Sequence, residues 1–561
     1  MSTARPASRP VPKGLNKGLW FVPLGGSGEI GMNLNLYACD DQWLMVDLGV
    51  TFGDDSIPGV DVVMPDPSFI AERKDTLLGL VLTHAHEDHL GAVCYLWPQL
   101  QCPVYATPFA AEFLKRKLVE TGLQDVVPLT IIPLGGRLEL GPFDIEFITL
   151  THSIPEPNAL AIRTSYGNIM HTGDWKFDPD PLIGEITDFA TLEALGDEGV
   201  LAMIADSTNV FSEGEAGSEG DVAVALTELI GKLSGRVAVG CFASNFARVE
   251  SIARAAEAND RHVCLVGASL WRVTETARKT GYLSDDLTFY EAEDAAHLPN
   301  DKVLYICTGS QGEARAALSR IAFNNHREVT LEEGDTVVFS SRVIPGNEKS
   351  IFKLQNQLAR LGVDIITAKN APIHVSGHPA RDEMRRMYGM IRPHTAIPVH
   401  GEYMHMRAHA ALALECQVPQ AIQVENGCAV RLAPGDPKVM GEVWAGRMSW
   451  EGTKAVPFWD PVLRDRKKMF YGGSVVVSVV LEDDGRLATD AQVSVLGIVD
   501  PLEAKGEDAL AIEIESAIER LPGRTKRDDG VIEEAVRRCV RRIFSGGQMG
   551  KPLIKVHVAR V

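Results

Sequence analysis

Short runs of β-branched, apolar and aromatic residues, separated by Gly, Asp or Pro, fill the chain from Leu19 to about residue 210. Such runs predict β-strands with tight turns between them. From about residue 213 the pattern changes, because helix-like stretches such as 248–259 alternate with short apolar runs such as 236–240. Strands that alternate with helices are typical of a parallel α/β unit, so the sequence predicts one there.

After about residue 362 short apolar runs return, and a segment rich in Gly and Pro follows them. That composition is typical of a linker with some structure, and the C-terminal segment beyond it again mixes strand-like and helix-like patterns. The predicted boundaries are 1–18 for a loose N-terminal tail, 19–212 and 362–432 for strand-rich segments, 213–361 for the α/β unit, 433–465 for the linker and 466–561 for a C-terminal unit.

The composition of the 561 residues is that of ordinary globular proteins, with 45% hydrophobic and 23% charged residues. It excludes disorder throughout the chain, a collagen-like chain and a coiled coil. The formal net charge of −20 also excludes a uniformly basic surface for nucleic acid. A polyanionic partner would therefore be held by a local basic patch or by metal.

The nine cysteines are scattered, odd in number and never spaced as C-x-x-C. This pattern favours reduced, packed thiols in a cytoplasmic protein. The first 18 residues are basic and rich in Pro and Ser, and no apolar run of signal-peptide length follows them. The most apolar runs, such as Ser474–Leu481, are too short to cross a bilayer, so no membrane association is expected.

Four residues of metal-binding type fall within six positions directly after an apolar strand, in the string Thr83-His-Ala-His-Glu-Asp-His-Leu-Gly. Burial of such a group is costly unless its members are hydrogen-bonded or bound to metal, and imidazole and carboxylate suit Zn²⁺ or Mn²⁺. In an extended loop His84 and His86 point to the same side and can bind one metal ion. Asp88 and His89, in the turn that follows, can face a second ion. The cluster predicts a metal site, and a solvated polar loop is the alternative.

Four residues cannot complete two metal shells, so further ligands are expected at later strand ends. His152, Asp174 and His400 each follow an apolar strand-like run. Taken alone, each is more often a hydrogen-bonded loop residue than a ligand, and the spacing leaves that alternative open.

With Asp47 in Met45-Val-Asp-Leu-Gly, these residues in this order resemble the metallo-β-lactamase superfamily. The α/β unit between Asp174 and His400 resembles a β-CASP domain, the mark of the nucleic-acid-processing branch. Further matching strings are Ala205-Asp-Ser-Thr-Asn with Asp206, Ser376-Gly-His with His378, Pro398-Val-His-Gly-Glu with His400, Phe242-Ala-Ser-Asn, Ile344-Pro-Gly-Asn-Glu and Val462-Leu-Arg-Asp-Arg. The resemblance covers nearly the whole chain.

The resemblance implies an αββα metallo-β-lactamase sandwich formed by 19–212 and 362–432, with an inserted α/β β-CASP domain at 213–361. It also implies a small α+β C-terminal domain, and these expectations fix the fold class as α/β. In the family that last domain supports oligomers, so a homodimer or homotetramer through it is expected.

The resemblance also implies two divalent metal ions, Zn²⁺ first, with Mn²⁺ or Mg²⁺ as alternatives. The implied roles are His84, His86 and His152 for the first ion, Asp88, His89 and His400 for the second, and Asp174 as the bridge. Asp88 would also accept a proton from the attacking water. Asp47 would orient the loop and a ligand histidine.

His378 lies outside the implied ligand set and would face the scissile phosphate, where it stabilises charge or protonates the leaving oxygen. Asp206 would orient neighbouring groups, with a purely structural role as the alternative. The implied substrate-binding residues are Ala243, Ser244, Asn245, His374, Val375, Ser376, Gly377 and His378. For Ser244 and Asn245 the alternative is a helix N-cap. Pro379, which lacks an N–H, departs from the family pattern.

The function implied is 5′→3′ exonuclease activity on 5′-monophosphorylated single-stranded RNA, with some endonuclease activity, in mRNA decay and rRNA maturation alongside other RNA-decay proteins. A DNA-processing β-CASP nuclease is the first alternative, although members of that group tend to carry Val where this chain has His400. A small-ester or thioester metallohydrolase is the second, and the inserted domain argues against it. A non-catalytic scaffold is the third, and the complete ligand set argues against that.

Overall fold

Two mixed sheets form the centre of the larger unit in a computed structural model that describes residues 12–53, 57–344, 346–498, 506–544 and 551–561. Most of the predicted N-terminal tail, residues 1–11, lies outside the described residues. The chain divides into two compact units. The larger contains residues 12–51 and Met64–Arg447, and the smaller contains Phe52–Val63 and Met448–Val561.

The first sheet has eight strands and the second has seven. In spatial order the first consists of Lys438–Glu442, Cys428–Ala433, Leu19–Gly25, Leu34–Cys39, Gln42–Val46, Leu77–Val81, Val104–Ala106 and Leu129–Ile131. The second consists of Arg137–Leu140, Phe143–Thr149, Asn158–Thr164, Gly167–His171, Ala202–Asp206, Thr395–Val399 and Gln420–Ala421. The facing sides of the two sheets share one apolar core, and helices cover the opposite sides. Strands that are buried on both sides explain the continuous hydrophobic runs in the sequence.

Helices cover the outer faces of the two sheets. A second apolar core joins the seven-stranded sheet to three helices, and the helix Pro108–Glu120 packs on the eight-stranded sheet. The helices of this part are Ser68–Ala71, Glu87–Leu90, Val93–Leu100, Pro108–Glu120, Phe189–Glu198, Arg381–Ile391 and Tyr403–Glu415. The result is the predicted αββα sandwich.

The inserted region forms its own parallel sheet of six strands. In spatial order the strands are Phe289–Tyr290, His262–Val266, Val303–Cys307, Val237–Gly240, Thr336–Phe339 and Asp364–Thr367. Its helices are Glu219–Ile230, Phe246–Ala258, Ala268–Lys279, Ala292–Ala295, Ala317–Ala322 and Glu348–Arg360. The alternation of strand and helix predicted from the sequence is therefore confirmed as a parallel α/β unit.

The C-terminal part of the smaller unit has a three-stranded sheet in which Ser474–Leu481 is central. Gln492–Leu496 pairs with it antiparallel and Leu553–Arg560 pairs with it parallel. The helices are Pro461–Gly472, Gly506–Glu519 and Asp529–Phe544, and one apolar core joins the last two to the sheet. This is the predicted α+β arrangement.

Three strands fall within the segment predicted as a linker, Lys438–Glu442, Arg447–Glu451 and Lys454–Pro457, and the last two form a hairpin. The domain boundaries themselves stay predictions. Within the residues that the structure describes, no helix is both long and apolar enough to cross a membrane.

Candidate metal centre

Every predicted metal ligand lies at or just beyond the carboxyl end of a strand. The strands Gly167–His171, Ala202–Asp206 and Thr395–Val399 run parallel as neighbours, so the loops that follow them open at the same edge of the sheet. Asp174 and His400 come from two of these loops. The sequence could place each residue after a strand, and the parallel pairing is what brings them together.

Gly49 allows the His-rich loop to approach the first sheet closely. A Cβ atom at this position would lie 1.7 Å from the main-chain oxygen of Asp88. The backbone N–H of Asn33 donates to that same oxygen at 2.9 Å, and Leu48 N–H donates to His89 O. The loop is thus fixed through its main chain, which leaves its side chains free for other partners.

The first group of side chains is His84, His86, His152 and Asp174, with one donor atom of each within 4.8 Å of the others. His86 Nδ1 lies 3.0 Å from His84 Nε2 and 3.0 Å from His152 Nε2. Two nitrogens that share a tetrahedral metal at the usual bond length are about 3.4 Å apart, so this spacing fits ligands of one ion.

The second group is Asp88, His89, Asp174 and His400. His400 Nε2 lies 3.1 Å from Asp88 Oδ2, and His89 Nε2 lies 3.2 Å from Asp174 Oδ2. Asp174 Oδ2 is also 3.9 Å from ring nitrogens of both His84 and His152. One carboxylate therefore reaches both groups, which together fit a dinuclear metal site.

The buried atom Asp174 Oδ1 tests whether these side chains suit a metal ion. Among the described residues it accepts no hydrogen bond, although the Asp174 side chain is only 3% exposed and His400 Nδ1 lies 3.4 Å away. Because a buried carboxylate oxygen that accepts no hydrogen bond is costly, a bound cation suits this set of ligand atoms.

Four of the five ligand histidines are held by a partner on the ring nitrogen that faces away from the cluster. Such contacts fix the ring orientation and leave the other nitrogen free to bind metal. The pairs join Nδ1 of His84 to Thr83 Oγ1 at 3.0 Å, His89 to Asp47 Oδ2 at 2.7 Å, His400 to Thr208 Oγ1 at 2.8 Å, and His152 to the Gly377 carbonyl. Asp47 also accepts from Thr83 N–H at 2.8 Å, so it contacts both the loop and a candidate ligand.

Electrostatics differ between the two groups. Burial lowers the pKa of His84 and His152 well below the usual value and that of His86 to about 4, so these rings stay neutral at pH 7. Neutral imidazole is the form that binds metal. In the second group, burial lowers the pKa of His400, but the charges of Asp174 and Asp206 outweigh this effect and raise it to about 10.

His378 stands beside the cluster and is held by Asp206. Its Nδ1 lies 2.8 Å from Asp206 Oδ2, and its ring stacks near that of His400 with centroids 5.7 Å apart. Burial lowers the pKa of His378, but the charges of Asp206 and Asp174 outweigh this effect and raise it. A protonated ring next to the ligand groups can donate a proton to an oxygen held there.

Of the two predicted substrate-binding segments, the loop 374–378 contacts a predicted metal ligand, and the segment 243–245 precedes a helix of the inserted domain. Gly377 touches His152 through its carbonyl, and Ser376 Oγ accepts from His378 N–H at 3.1 Å. In the other segment Asn245 caps the helix Phe246–Ala258, because its side-chain oxygen accepts from Arg248 N–H. Asn245 is therefore a helix N-cap, as the alternative proposed. The cap uses only the side-chain oxygen, so the amide N–H₂ can still donate to another group. Ala243 and Ser244 are half-buried beside it, as are His374 and Val375 in the first segment.

Sequence reasoning missed Thr208 and Arg248. Thr208 stands two residues after Asp206 in Ala205-Asp-Ser-Thr-Asn, a string that had been noted only for its carboxylate. Arg248 lies at the start of the helix-like stretch 248–259, and nothing in its sequence context indicates that its side chain is buried.

Four family models match the chain. They are the Beta-lactamase superfamily domain at residues 58–196, the Ribonuclease J beta-CASP domain at 234–358, the Zn-dependent metallo-hydrolase RNA specificity domain at 364–419 and the Ribonuclease J C-terminal domain at 461–561. A solved structure, a protein of unknown function from Enterococcus faecalis V583, matches with a TM-score of 0.50 and 17% identity over 73% of this chain and 99% of that chain. It shares the fold alone.

Curated relatives match over nearly their whole length. Ribonuclease J of Sinorhizobium meliloti is 44% identical over 97% of both chains, and that of Mycolicibacterium smegmatis is 37% identical over 96% of both. Ribonuclease J 1 of Streptococcus pyogenes is 38% identical over 82% of both. The alternatives of a DNA nuclease, an ester hydrolase and a scaffold gain no support. The chain therefore belongs to the ribonuclease J family and is a metal-dependent ribonuclease that binds RNA.

Proposed function

We propose that this ribonuclease degrades 5′-monophosphorylated single-stranded RNA from the 5′ end, with some internal cleavage, in mRNA decay and rRNA maturation. The observation that carries the proposal is the pair of ligand groups joined by Asp174, with His378 directly beside them. The nine cysteines form no disulfide, which suits the reducing cytoplasm as the place of action.

The ligand roles proposed are those implied by the sequence. One ion is held by His84, His86 and His152, the other by Asp88, His89 and His400, and Asp174 contacts both. Zn²⁺ suits the predominance of imidazole, while Mn²⁺ and Mg²⁺ remain alternatives for a site that also has two carboxylates. Two such ions, when bound, supply an activated water and stabilise the oxygens of an in-line displacement at phosphorus.

The residues of the chain supply the proton transfers. Asp88 is the proposed acceptor of the water's proton: burial raises the pKa of Asp88, but His89 and His400 outweigh this and lower it, so it is ionised. His378, oriented by Asp206, is the proposed donor to the leaving oxygen. The proposed base is thus the carboxylate of Asp88 and the proposed acid is the imidazole of His378, so one site holds the two groups that displacement with proton transfer requires.

The loop 374–378 and the segment Ala243-Ser-Asn are the proposed grip on the 5′ end of RNA. The first segment is tied to a metal ligand through Gly377, so a phosphate held there stands a fixed distance from the centre. If this distance corresponds to one nucleotide, the enzyme would cleave after the first nucleotide of the RNA. Repetition of this step would remove single nucleotides one after another.

The product pattern tests this function. RNA labelled at a 5′ monophosphate should release labelled mononucleotide as the first product, whereas a circular RNA of the same sequence should be cut slowly and only internally. Linear and circular RNA cut at equal rates, with long labelled fragments from the first, would contradict exonuclease action but not ribonuclease activity.

A homodimer or homotetramer is proposed to form through the C-terminal domain. Val462, Phe470, Leu496 and Ile512 are each more than half exposed in that domain, so apolar side chains are available there for contact with a second copy. Light scattering on the purified chain should give the mass of two or four chains. The mass of one chain at micromolar concentration would contradict the proposal.

A further inference from the structure

Arg248 is a fully buried guanidinium that the proposed mechanism does not use. It is 0% exposed and forms an ion pair with Glu219, itself 1% exposed, in which Nη2 lies 2.9 Å from Oε1 and Nε 3.1 Å from Oε2. A buried, paired arginine is costly to desolvate and is weak evidence for stability. Its remaining contacts therefore need an explanation.

The third nitrogen of Arg248, Nη1, points at the start of the loop 374–378. It lies 2.7 Å from Ser340 Oγ, 3.1 Å from the Ile373 carbonyl and 3.2 Å from His374 Nδ1. Ser340 Oγ in turn donates to the Ile373 carbonyl at 2.6 Å. The backbone N–H of Arg248 meanwhile donates to Asn245 Oδ1 at 2.9 Å. One residue thus contacts both segments that are proposed to hold the 5′ end.

The contact with Arg248 determines which ring nitrogen of His374 carries the proton. Guanidinium can only donate, so Nδ1 of His374 accepts and the proton sits on Nε2. Burial, with the charges of Arg248 and Arg342, lowers the pKa of His374 to about 3, so the ring is neutral at pH 7. In the described part of the chain, Nε2 forms no hydrogen bond, and the ring is half-buried. Its N–H is free to donate to an anion.

We propose that Arg248 is a positioning residue for recognition of the RNA 5′ end, because it fixes His374 with its proton on Nε2 and ties the loop to the capped turn at Asn245. This inference rests on the proposed 5′-end-dependent function. One buried side chain thus maintains the geometry that selects a 5′ monophosphate. That side chain does not itself touch the substrate.

The test compares two RNAs with one sequence, one carrying a 5′ monophosphate and one a 5′ hydroxyl. The quantity measured is the ratio of their kcat/KM values. In Arg248→Lys the charge beside Glu219 is kept, but a single ammonium cannot reach both Glu219 and His374. Loss of one well-oriented donor to phosphate should lower the ratio about tenfold, mainly through KM for the monophosphorylated RNA. A purely structural defect would lower both values alike and leave the ratio unchanged.

Arg261→Lys is the matched control. Arg261 is also buried in the inserted domain and donates to the carbonyls of Gly235 and Val303, with no contact to the loop 374–378. Arg261→Lys should lower thermal stability by about as much as Arg248→Lys does. It should leave the ratio of the two kcat/KM values at the wild-type value.

His374→Phe, alone and combined with Arg248→Lys, completes the test. If Arg248 acts through His374, the single and double variants should show the same ratio, because coupled residues are not additive. A folded Arg248→Lys enzyme with the wild-type ratio, or additive losses in the double variant, overturns the inference. If Arg248→Lys does not fold, a wild-type ratio in His374→Phe overturns it. A wild-type enzyme that does not distinguish the two RNAs overturns the 5′-end function and the inference together.

Discussion

Asp174→Asn is expected to lower kcat for RNA hydrolysis by at least about 10⁴-fold, a loss of about 5 kcal/mol of transition-state stabilisation. The reason is the place of this carboxylate, whose Oδ2 reaches ring nitrogens of both ligand groups. An amide has no formal charge, and its NH₂ end adds donors where a cation should sit. Both ions should therefore be held weakly, and metal per chain after dialysis should fall below one equivalent.

The measurement joins kinetics with metal analysis on the same preparation. Asp188→Asn is a suitable control, since Asp188 is a carboxylate of the same domain that caps the helix Phe189–Glu198 through Thr191 N–H. That change should have little effect on stability, because Asn caps a helix about as well as Asp, and it should leave metal content intact. An Asp174→Asn enzyme with two ions per chain and a kcat within tenfold of wild type would remove Asp174 from the centre.

The ligand candidates were predictable from sequence because their residue types are rare together. A string such as His-Ala-His-Glu-Asp-His has few structural uses other than metal binding, so His84 and His89 needed no three-dimensional information. His152 and His400 did, since each alone is ordinary for a loop. The parallel neighbours Ala202–Asp206 and Thr395–Val399 are what place His400 at the centre.

The partners that orient the ligands were not predictable, because they are common polar groups that meet across long stretches of chain. Thr208 reaches His400 over a separation of 192 residues, and the Gly377 carbonyl reaches His152 over 225. Threonine hydroxyls and main-chain oxygens carry no distinctive pattern in a sequence. Only the tertiary packing of the segment 19–212 against the segment 362–432 reveals their role.

The four arginines of the helix Asp529–Phe544 likewise show a limit of the sequence, because their ion pairs depend on the folded structure. Arg537, Arg538 and Arg541 form ion pairs with Glu533 or Glu534 of the same helix, and Arg542 pairs with Glu513. The helix is thus less basic at its surface than its arginines alone indicate. Surface pairs of this kind contribute little to stability, and their charges are partly neutralised toward any RNA.

His378→Ala is expected to retain both ions and lower kcat by about 10² to 10⁴, the usual contribution of a general acid. The ring is held by Asp206 and lies outside both proposed ligand sets, so its removal should leave metal content unchanged. The loss should appear in kcat more than in KM, because protonation of the leaving oxygen is needed only in the transition state.

Asp206→Asn separates orientation of His378 from its chemistry. Asn accepts from His378 Nδ1–H through its oxygen but does not favour the protonated ring, so an intermediate loss of kcat is expected. His394→Ala is the control, because His394 is an exposed histidine whose ring contacts Thr395 at the far end of the strand Thr395–Val399. An unchanged kcat in His378→Ala with full metal occupancy would exclude His378 from proton transfer, and a loss of metal would place it among the ligands instead.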